Sequence, residues 1–310
     1  MQFRKITIVG VGLLGGSIGL AARKFGVAAE IAGYARREKT IAECEKFAAT
    51  DYATTDLAAA VSNADLVILC TPLAQMRPLV EQLLPVLKRG AIVTDVGSVK
   101  AGVVRELESL IAKAGAHFVG SHPMAGGEKT GVAAARADLF ENAICVLTPT
   151  KKSNAGAVRK LERFWKSLGV RVVELPPEQH DLFVSRTSHL PHVVAATLAN
   201  LVLDPAQPRG LAQLCANGFR DTTRIASGSP EMWRDIALAN RKPIAAALNS
   251  FISELQKFQT VLKKADAKAI TKFFENAKER RDGWKQTKDL TSTKHMDFED
   301  AKTAFDLSKI

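Results

Sequence analysis

The sequence predicts an α/β fold in which a doubly wound parallel sheet is followed by an all-helical domain. Three observations carry this expectation. Short apolar runs alternate with longer helical patterns through the first half of the chain. A glycine-rich turn stands between the first run and the first helix. After Pro176-Pro177 the strand-like runs vanish, and only helical texture continues to about residue 286. Strand and helix in alternation build a parallel sheet with both faces covered.

Taken in order, "KITIVG" (5–10) is a run of β-branched residues and reads as a buried strand. A glycine turn follows, then a helix to about Phe25 closed by Gly26. "EIAGYA" (30–35) is the second strand, with a helix to about Phe47. "ADLVILC" (64–70), "GAIVTDV" (90–96), "HFVGS" (117–121), "AICVLTP" (143–149) and "VRVVELP" (170–176) are further strands, most of them separated by helical stretches. The expected division is a nucleotide-type domain over 1–176, a helical domain over 177–286 and a polar, loosely held tail over 287–310. The long apolar-faced helices are suited to packing on themselves or on a second copy.

With 310 residues and 46% hydrophobic content, the chain is long enough for one or two domains with real cores. Its net charge of +11 favours acidic partners. The basic residues are scattered, except in "KERRDGWKQTK" (278–288), which reads as a solvated helix face rather than a nucleic-acid arm. Cys44, Cys70, Cys145 and Cys215 form no CxxC pair and no zinc-like cluster with histidine. They read as reduced core thiols of a cytoplasmic protein, with no metal expected. The uncharged stretch 6–22 holds five glycines, at 10, 12, 15, 16 and 19, which argues against a membrane helix.

Those glycines have another use. In Gly10-Val11-Gly12-Leu13-Leu14-Gly15, a GxGxxG pattern directly follows a strand and opens a helix. Gly10 permits the tight turn, Gly12 lets backbone approach a pyrophosphate, and Gly15 lets helix and strand pack closely. The helix N-terminus then meets the phosphate charge. A Rossmann-like dinucleotide site is expected. An acidic residue closing the second strand would select NAD through its ribose hydroxyl. Here the sequence is Ala35-Arg36-Arg37, two guanidinium groups and no carboxylate, which favours NADP and leaves NAD possible.

In open α/β sheets, ligands bind beyond the carboxyl ends of the strands. Three polar stretches fall there: Cys70-Thr71-Pro72 beside the cofactor, "DVGSVK" (95–100) with Ser98, and "GSHPMAGG" (120–127) with His122. Alone, Ser98 reads as a helix cap and His122 as a hydrogen-bonded structural histidine. His189 and His192 lie three apart, which suits a metal pair on spacing alone, but no carboxylate or cysteine completes it nearby. Pro191 lies between them and removes a backbone bond, so a bend or helix start is expected.

The GxGxxG loop, "DVGSVK", "GSHPMAGGEKTG", "SHLPH" (188–192) and "GFRDTTRIA" (218–226) come in the order found in the prephenate and arogenate dehydrogenases, and the chain resembles that family over roughly residues 5–280. The resemblance implies oxidative decarboxylation of prephenate or arogenate in tyrosine biosynthesis, with a helical domain that forms a homodimer. It implies His122 as the base, with Ser98 hydrogen-bonded nearby, and Arg224 as the anchor of a dianionic substrate. Asp221, three residues before Arg224, is expected to hold that guanidinium. His192 is expected to contact substrate, with His189 more structural, His180 at a family position and Trp233 walling the pocket. Gly127 departs from the family, where many relatives carry Thr or Ser. A β-hydroxyacid dehydrogenase lacks the paired "SHPMAG" and "SHLPH" stretches. A non-catalytic NADP-binding regulator would not need His122, Ser98 and Arg224 together.

Overall fold

The computed structural model describes residues 1–127, 129–208 and 210–284; the tail expected from 287 lies outside them. Six parallel strands form the main sheet in the order β3-β2-β1-β4-β5-β6. They are β1 (Phe3–Val9), β2 (Ala28–Tyr34), β3 (Tyr52–Thr54), β4 (Leu66–Leu69), β5 (Ile92–Asp95) and β6 (His117–Phe118). The helices between them are α1 (Leu13–Lys24), α2 (Glu38–Lys46), α3 (Leu57–Val61), α4 (Leu73–Leu83) and α5 (Ala101–Lys113). β3, a three-residue edge strand, went unread in the sequence because it is too short for any alternation to register.

The apolar character of β4 and of the second half of β1 is explained by burial on both faces, with the buried Thr7 hydroxyl satisfied by donating to Ala60 O at 2.7 Å. Ile6, Ile8, Leu66 and Ile68 point to one core, which α1 closes with Ile18, Ala21 and Ala22. Val9, Val67 and Leu69 point to the other, closed by Met76, Val80 and Leu83 of α4 and Leu107 and Ile111 of α5. Successive side chains alternate faces, so a strand between two helix layers is apolar on both sides except where a buried polar group finds a partner. Each fully buried Ile or Leu contributes roughly 1.5–3 kcal/mol.

The later strands depart from the expectation of one parallel sheet. β7 (Gly120–Pro123), β8 (Ile144–Thr148) and β9 (Arg171–Glu174) form a separate three-stranded sheet, with α6 (Ala155–Ser167) between β8 and β9. β7 runs antiparallel to β8, with His122 opposite Val146. The reason is local: only Val119 separates β6 from β7, too little chain for the crossover that a parallel neighbour requires. The Ser121 N–H instead bonds the Asp95 carboxylate at 3.2 Å, drawing the chain off the main sheet. His122 therefore sits within a strand, not in the loop beyond one.

Helices continue from Pro176 as α7 (Pro177–Val184), α8 (Leu190–Val202), α9 (Asn217–Thr223) and α10 (Pro230–Ala239). A π-helical turn, Ser185–His189, joins α7 to α8. Pro191 lacks the N–H that would bond Thr187, which is where the bend was expected. The chain divides into two compact units, residues 1–240 and a second beginning at Arg241. The second holds α11 (Arg241–Lys263) and α12 (Ala267–Gly283), which Phe258, Phe273 and Phe274 join by ring contacts at 4.6–5.8 Å. No helix among the described residues is long and apolar enough to cross a membrane.

Candidate active site

The glycine loop is shaped by what a side chain would strike. Gly10 has φ +97°, and a Cβ there would lie 2.8 Å from the Cys70 carbonyl oxygen. A Cβ on Gly15 would collide with the Gly10 carbonyl oxygen, so helix and strand pack through its absence. A Cβ on Gly12 would meet nothing within 4 Å, so the backbone there faces open space. α1 begins at that point without a side-chain cap, and its first internal bond is Gly16 N–H to Gly12 O at 2.8 Å. The first-turn amides thus stay available to an anion.

Two cavities meet at this loop and share Gly12, Cys70, Thr71 and Pro72. The smaller, about 540 Å³, runs from Gly10 and Val11 to Ala35, Arg36 and Arg37 at the end of β2. It is lined by two guanidinium groups and, among the described residues, no carboxylate. A dinucleotide fits this arrangement: phosphates at Gly12 and the α1 amides, ribose and adenine beside Arg36 and Arg37. Loss of solvent around the Cys70 sulfur, with the Asp95 carboxylate nearby, raises its thiol pKa, so it stays a neutral thiol beside the loop. Cys70 and Cys215 are half-buried, whereas Cys44 and Cys145 lie in the core as expected; all four are free thiols.

The larger cavity, about 710 Å³, is lined by Leu13, Leu14, Gly15, Ser98, His122, Gly127, His189, His192, Arg224 and Trp233. Residues far apart in sequence thus converge on the glycine loop. Asp221, on the last turn of α9, is exposed and outside the lining, whereas Arg224 opens the 3₁₀ turn that follows. A Cβ on Gly127 would have only Leu13 Cδ2 nearby, at 3.8 Å, so this wall has room for a larger residue.

His122 is 8% exposed, and its partner differs from the one expected. Its Nδ1 lies 2.8 Å from Nε2 of His180, not beside Ser98. His180 Nδ1 in turn lies 2.8 Å from Oδ1 of Asp181. Asp181 also accepts the backbone N–H groups of Lys100 at 2.7 Å and Ala101 at 2.9 Å. The N-terminus of α5 is therefore capped by Asp181, across 80 residues of sequence, and Ser98 is left to the cavity wall. Beneath His122, Lys100 pairs with Asp95, both fully buried, and donates to Ser121 O at 2.9 Å. Burial, with His180, Lys100 and His189 nearby, holds His122 well below the ordinary histidine pKa, so it is neutral near pH 7.

On the helical wall, Asn240 Nδ2 bonds Asp181 O at 2.9 Å and His189 Nδ1 at 3.1 Å. The carbonyl acceptor fixes the amide orientation, so His189 accepts at Nδ1 and carries its proton on Nε2. That atom is buried and has no partner among the described residues. Burial lowers the His189 pKa to about 4. His192 bonds Ser188 O at 3.0 Å and stacks on Trp233, ring centroids 3.9 Å apart. Sequence reading missed Asp181, Asn240 and the Lys100–Asp95 pair. "DVGSVK" displayed both ends of that pair, but nothing in "EQHDLF" marked Asp181 as close to His122.

Comparison with known proteins gives matches along both the strand-and-helix part and the helical part of the chain. Residues 18–174 match the prephenate dehydrogenase nucleotide-binding domain, and residues 176–276 match the prephenate dehydrogenase dimerization domain. The chain is 38% identical to a prephenate dehydrogenase of Bacillus subtilis over 280 residues, covering 90% of this chain and 75% of the relative. It is 32% identical to a cyclohexadienyl dehydrogenase of Zymomonas mobilis, covering 93% and 98%. The crystal structure of an Aquifex aeolicus prephenate dehydrogenase with hydroxyphenyl propionate and NAD+ superposes with a TM-score of 0.84. That match is at 33% identity and covers 90% of this chain and 97% of the other.

Proposed function

Because the chain belongs to the prephenate dehydrogenase family, we propose that it oxidatively decarboxylates prephenate or its amino counterpart arogenate, with NADP as the preferred cofactor. One observation carries this reading: a single cavity is lined by the glycine loop, by His122 and by Arg224. The bound nicotinamide supplies the acceptor for the hydride that leaves ring C4. His122, with Nδ1 engaged by His180, takes the C4 hydroxyl proton on its other nitrogen as the C4 ketone forms. That ketone is conjugated through the ring to C1, so the C1–carboxylate bond breaks, carbon dioxide leaves and the ring becomes aromatic. Arg224 anchors a substrate carboxylate, with Asp221 one turn away to orient it. His192 on Trp233 walls the substrate, His189 offers its Nε2–H, and Ser98 faces the hydroxyl. Gly127, where a hydroxyl residue would fit, is the position proposed to alter substrate preference.

We assign cofactor binding to 1–176, and substrate binding and self-association to 177–286, in a cytoplasmic homodimer. Ile252, Leu255 and Leu262 of α11 and Phe273 and Phe274 of α12, all more than 40% exposed in the single chain, support that association. The test is a four-way assay, each substrate with each cofactor. The expected result is turnover of at least one substrate, with NADP preferred. Replacing Arg36 with Ala should weaken NADP binding by about 10- to 100-fold and leave NAD nearly unchanged, since a charged hydrogen bond contributes roughly 1.5–3 kcal/mol. No turnover of either substrate would overturn the reading, and strict NAD use would overturn the role of Arg36.

A further inference from the structure

The base proposed above poses a physical problem. His122 can accept a proton only if its cavity-facing nitrogen is bare, and a neutral imidazole ordinarily divides its proton between two nitrogens. Hydrogen bonds behind the ring decide the question. Both oxygens of Asp181 accept backbone N–H groups, and its Oδ1 lies 2.8 Å from His180 Nδ1. A carboxylate engaged in this way only accepts, so His180 carries its proton on Nδ1 and its Nε2 is bare. That bare nitrogen lies 2.8 Å from His122 Nδ1, which must then carry the proton and donate. We propose that Asp181 and His180 are positioning residues, a buried chain that holds His122 in the Nδ1–H form and presents Nε2 to the cavity as the proton acceptor.

Three features make the chain rigid. His180 is fully buried and Asp181 is 3% exposed, so water does not compete for either. Asp181 is held at both carboxylate oxygens by the start of α5, and its backbone carbonyl accepts from Asn240. His122 lies in β7, where pairing with β8 fixes the backbone. The groups around the pair have opposed signs. Burial disfavours a positive charge on either ring, and Lys100, beside α5, opposes it on both; His189 adds to this at His122, whereas Asp181 on α7 and Asp95 at the end of β5 favour a positive His180. Cys145 of β8 lies at the His122 backbone as a neutral thiol, its pKa raised by burial. As His122 takes the hydroxyl proton at Nε2, its Nδ1 proton is already shared with His180 Nε2. The developing charge then spreads toward the Asp181 carboxylate, which faces His180. A proton added beforehand has the reverse effect: it makes His180 a donor to His122 Nδ1, moves the His122 proton to Nε2 and removes the acceptor.

This inference rests on the proposed role of His122, and the experiment separates the two. The ¹⁵N spectrum of histidine-labelled protein should show His122 in the less common Nδ1–H form, identified by its loss in His122→Asn. In His180→Phe, which has no acceptor, His122 should revert to the Nε2–H form, with kcat about 10²-fold lower and substrate KM within about twofold. His180→Gln, whose Oε1 can accept the same N–H, should recover about tenfold of that loss. In Asp181→Asn the rising limb of the kcat–pH profile should move to lower pH, because the carboxylate that favours the protonated pair is gone. A wild-type His122 in the Nε2–H form overturns the proposal outright. So do variants that lose kcat with an unchanged tautomer and pH profile, which would mark His180 as packing alone. The tautomer can be read whether or not prephenate or arogenate is turned over, so failure of the substrate reading appears separately.

Discussion

At the scale of single residues, His122 as the base and Arg224 as the carboxylate anchor, both lining the larger cavity, carry the proposed chemistry. His122 stays neutral because it is buried among like-charged or neutral neighbours, and neutrality is what a base needs before it acts. Replacing it with Asn should lower kcat by about 10²–10⁴-fold while NADP binding, measured by fluorescence titration, is retained. As the proposed carboxylate anchor, Arg224 would hold ground and transition states alike, so the effect of Arg224→Ala should fall mainly on KM, by about tenfold or more. Steady-state kinetics on both variants checks the division. A His122→Asn enzyme with near wild-type turnover would remove the histidine from the chemistry.

At the scale of elements, the strand–glycine–helix unit and the β6–β7 break set the geometry. α1 approaches β1 through Gly15, where a Cβ would strike the Gly10 carbonyl oxygen. Gly15→Ala should therefore push helix from strand, costing about 1–3 kcal/mol of stability and weakening both cofactors together. Thermal unfolding with and without NADP reads both effects; full cofactor affinity at wild-type stability would contradict the packing role. The β6–β7 break turns Ser121 onto Asp95 and delivers His122 to the cavity. The cap on α5 is likewise supplied from α7, so the element carrying His180 and Asp181 also starts the helix that follows Ser98.

For the whole molecule, three buried histidines and the half-buried His192 couple stability to pH. His122, His180, His189 and His192 all have folded-state pKa values below the ordinary 6.5, mainly through burial. Below pH 6.5 the unfolded chain binds protons that the folded chain refuses, so stability falls as pH falls. For His189 the loss continues to about pH 4, at about 1.4 kcal/mol per pH unit in the steep range. The midpoint of urea unfolding should drop between pH 7 and pH 5, and less steeply in His189→Gln. An equal slope in both proteins would show that this imidazole is not buried neutral. Self-association is tested by light scattering. A dimer is expected for the wild type and a larger monomer fraction for Phe274→Glu, because a charge on an apolar interface has no partner.

Much of this was legible in the sequence because it depends on local pattern. Alternating apolar runs gave the sheet and its helices, three glycines gave the phosphate turn, and Arg36 and Arg37 marked the end of β2. Motif order brought His122, His192 and Arg224 into one reading, and all three line one cavity. The sequence by itself determined which side chains were available for chemistry and that the glycine turn follows β1 and Arg36 and Arg37 follow β2, since periodicity and turn geometry are properties of neighbouring residues. Only the tertiary structure decided which side chains touch. Asp181, His180 and His122 meet across 59 residues, and Asp181 reaches the start of α5 across 80, because packing α7 against α5 and β7 is a long-range outcome with no sequence period to announce it.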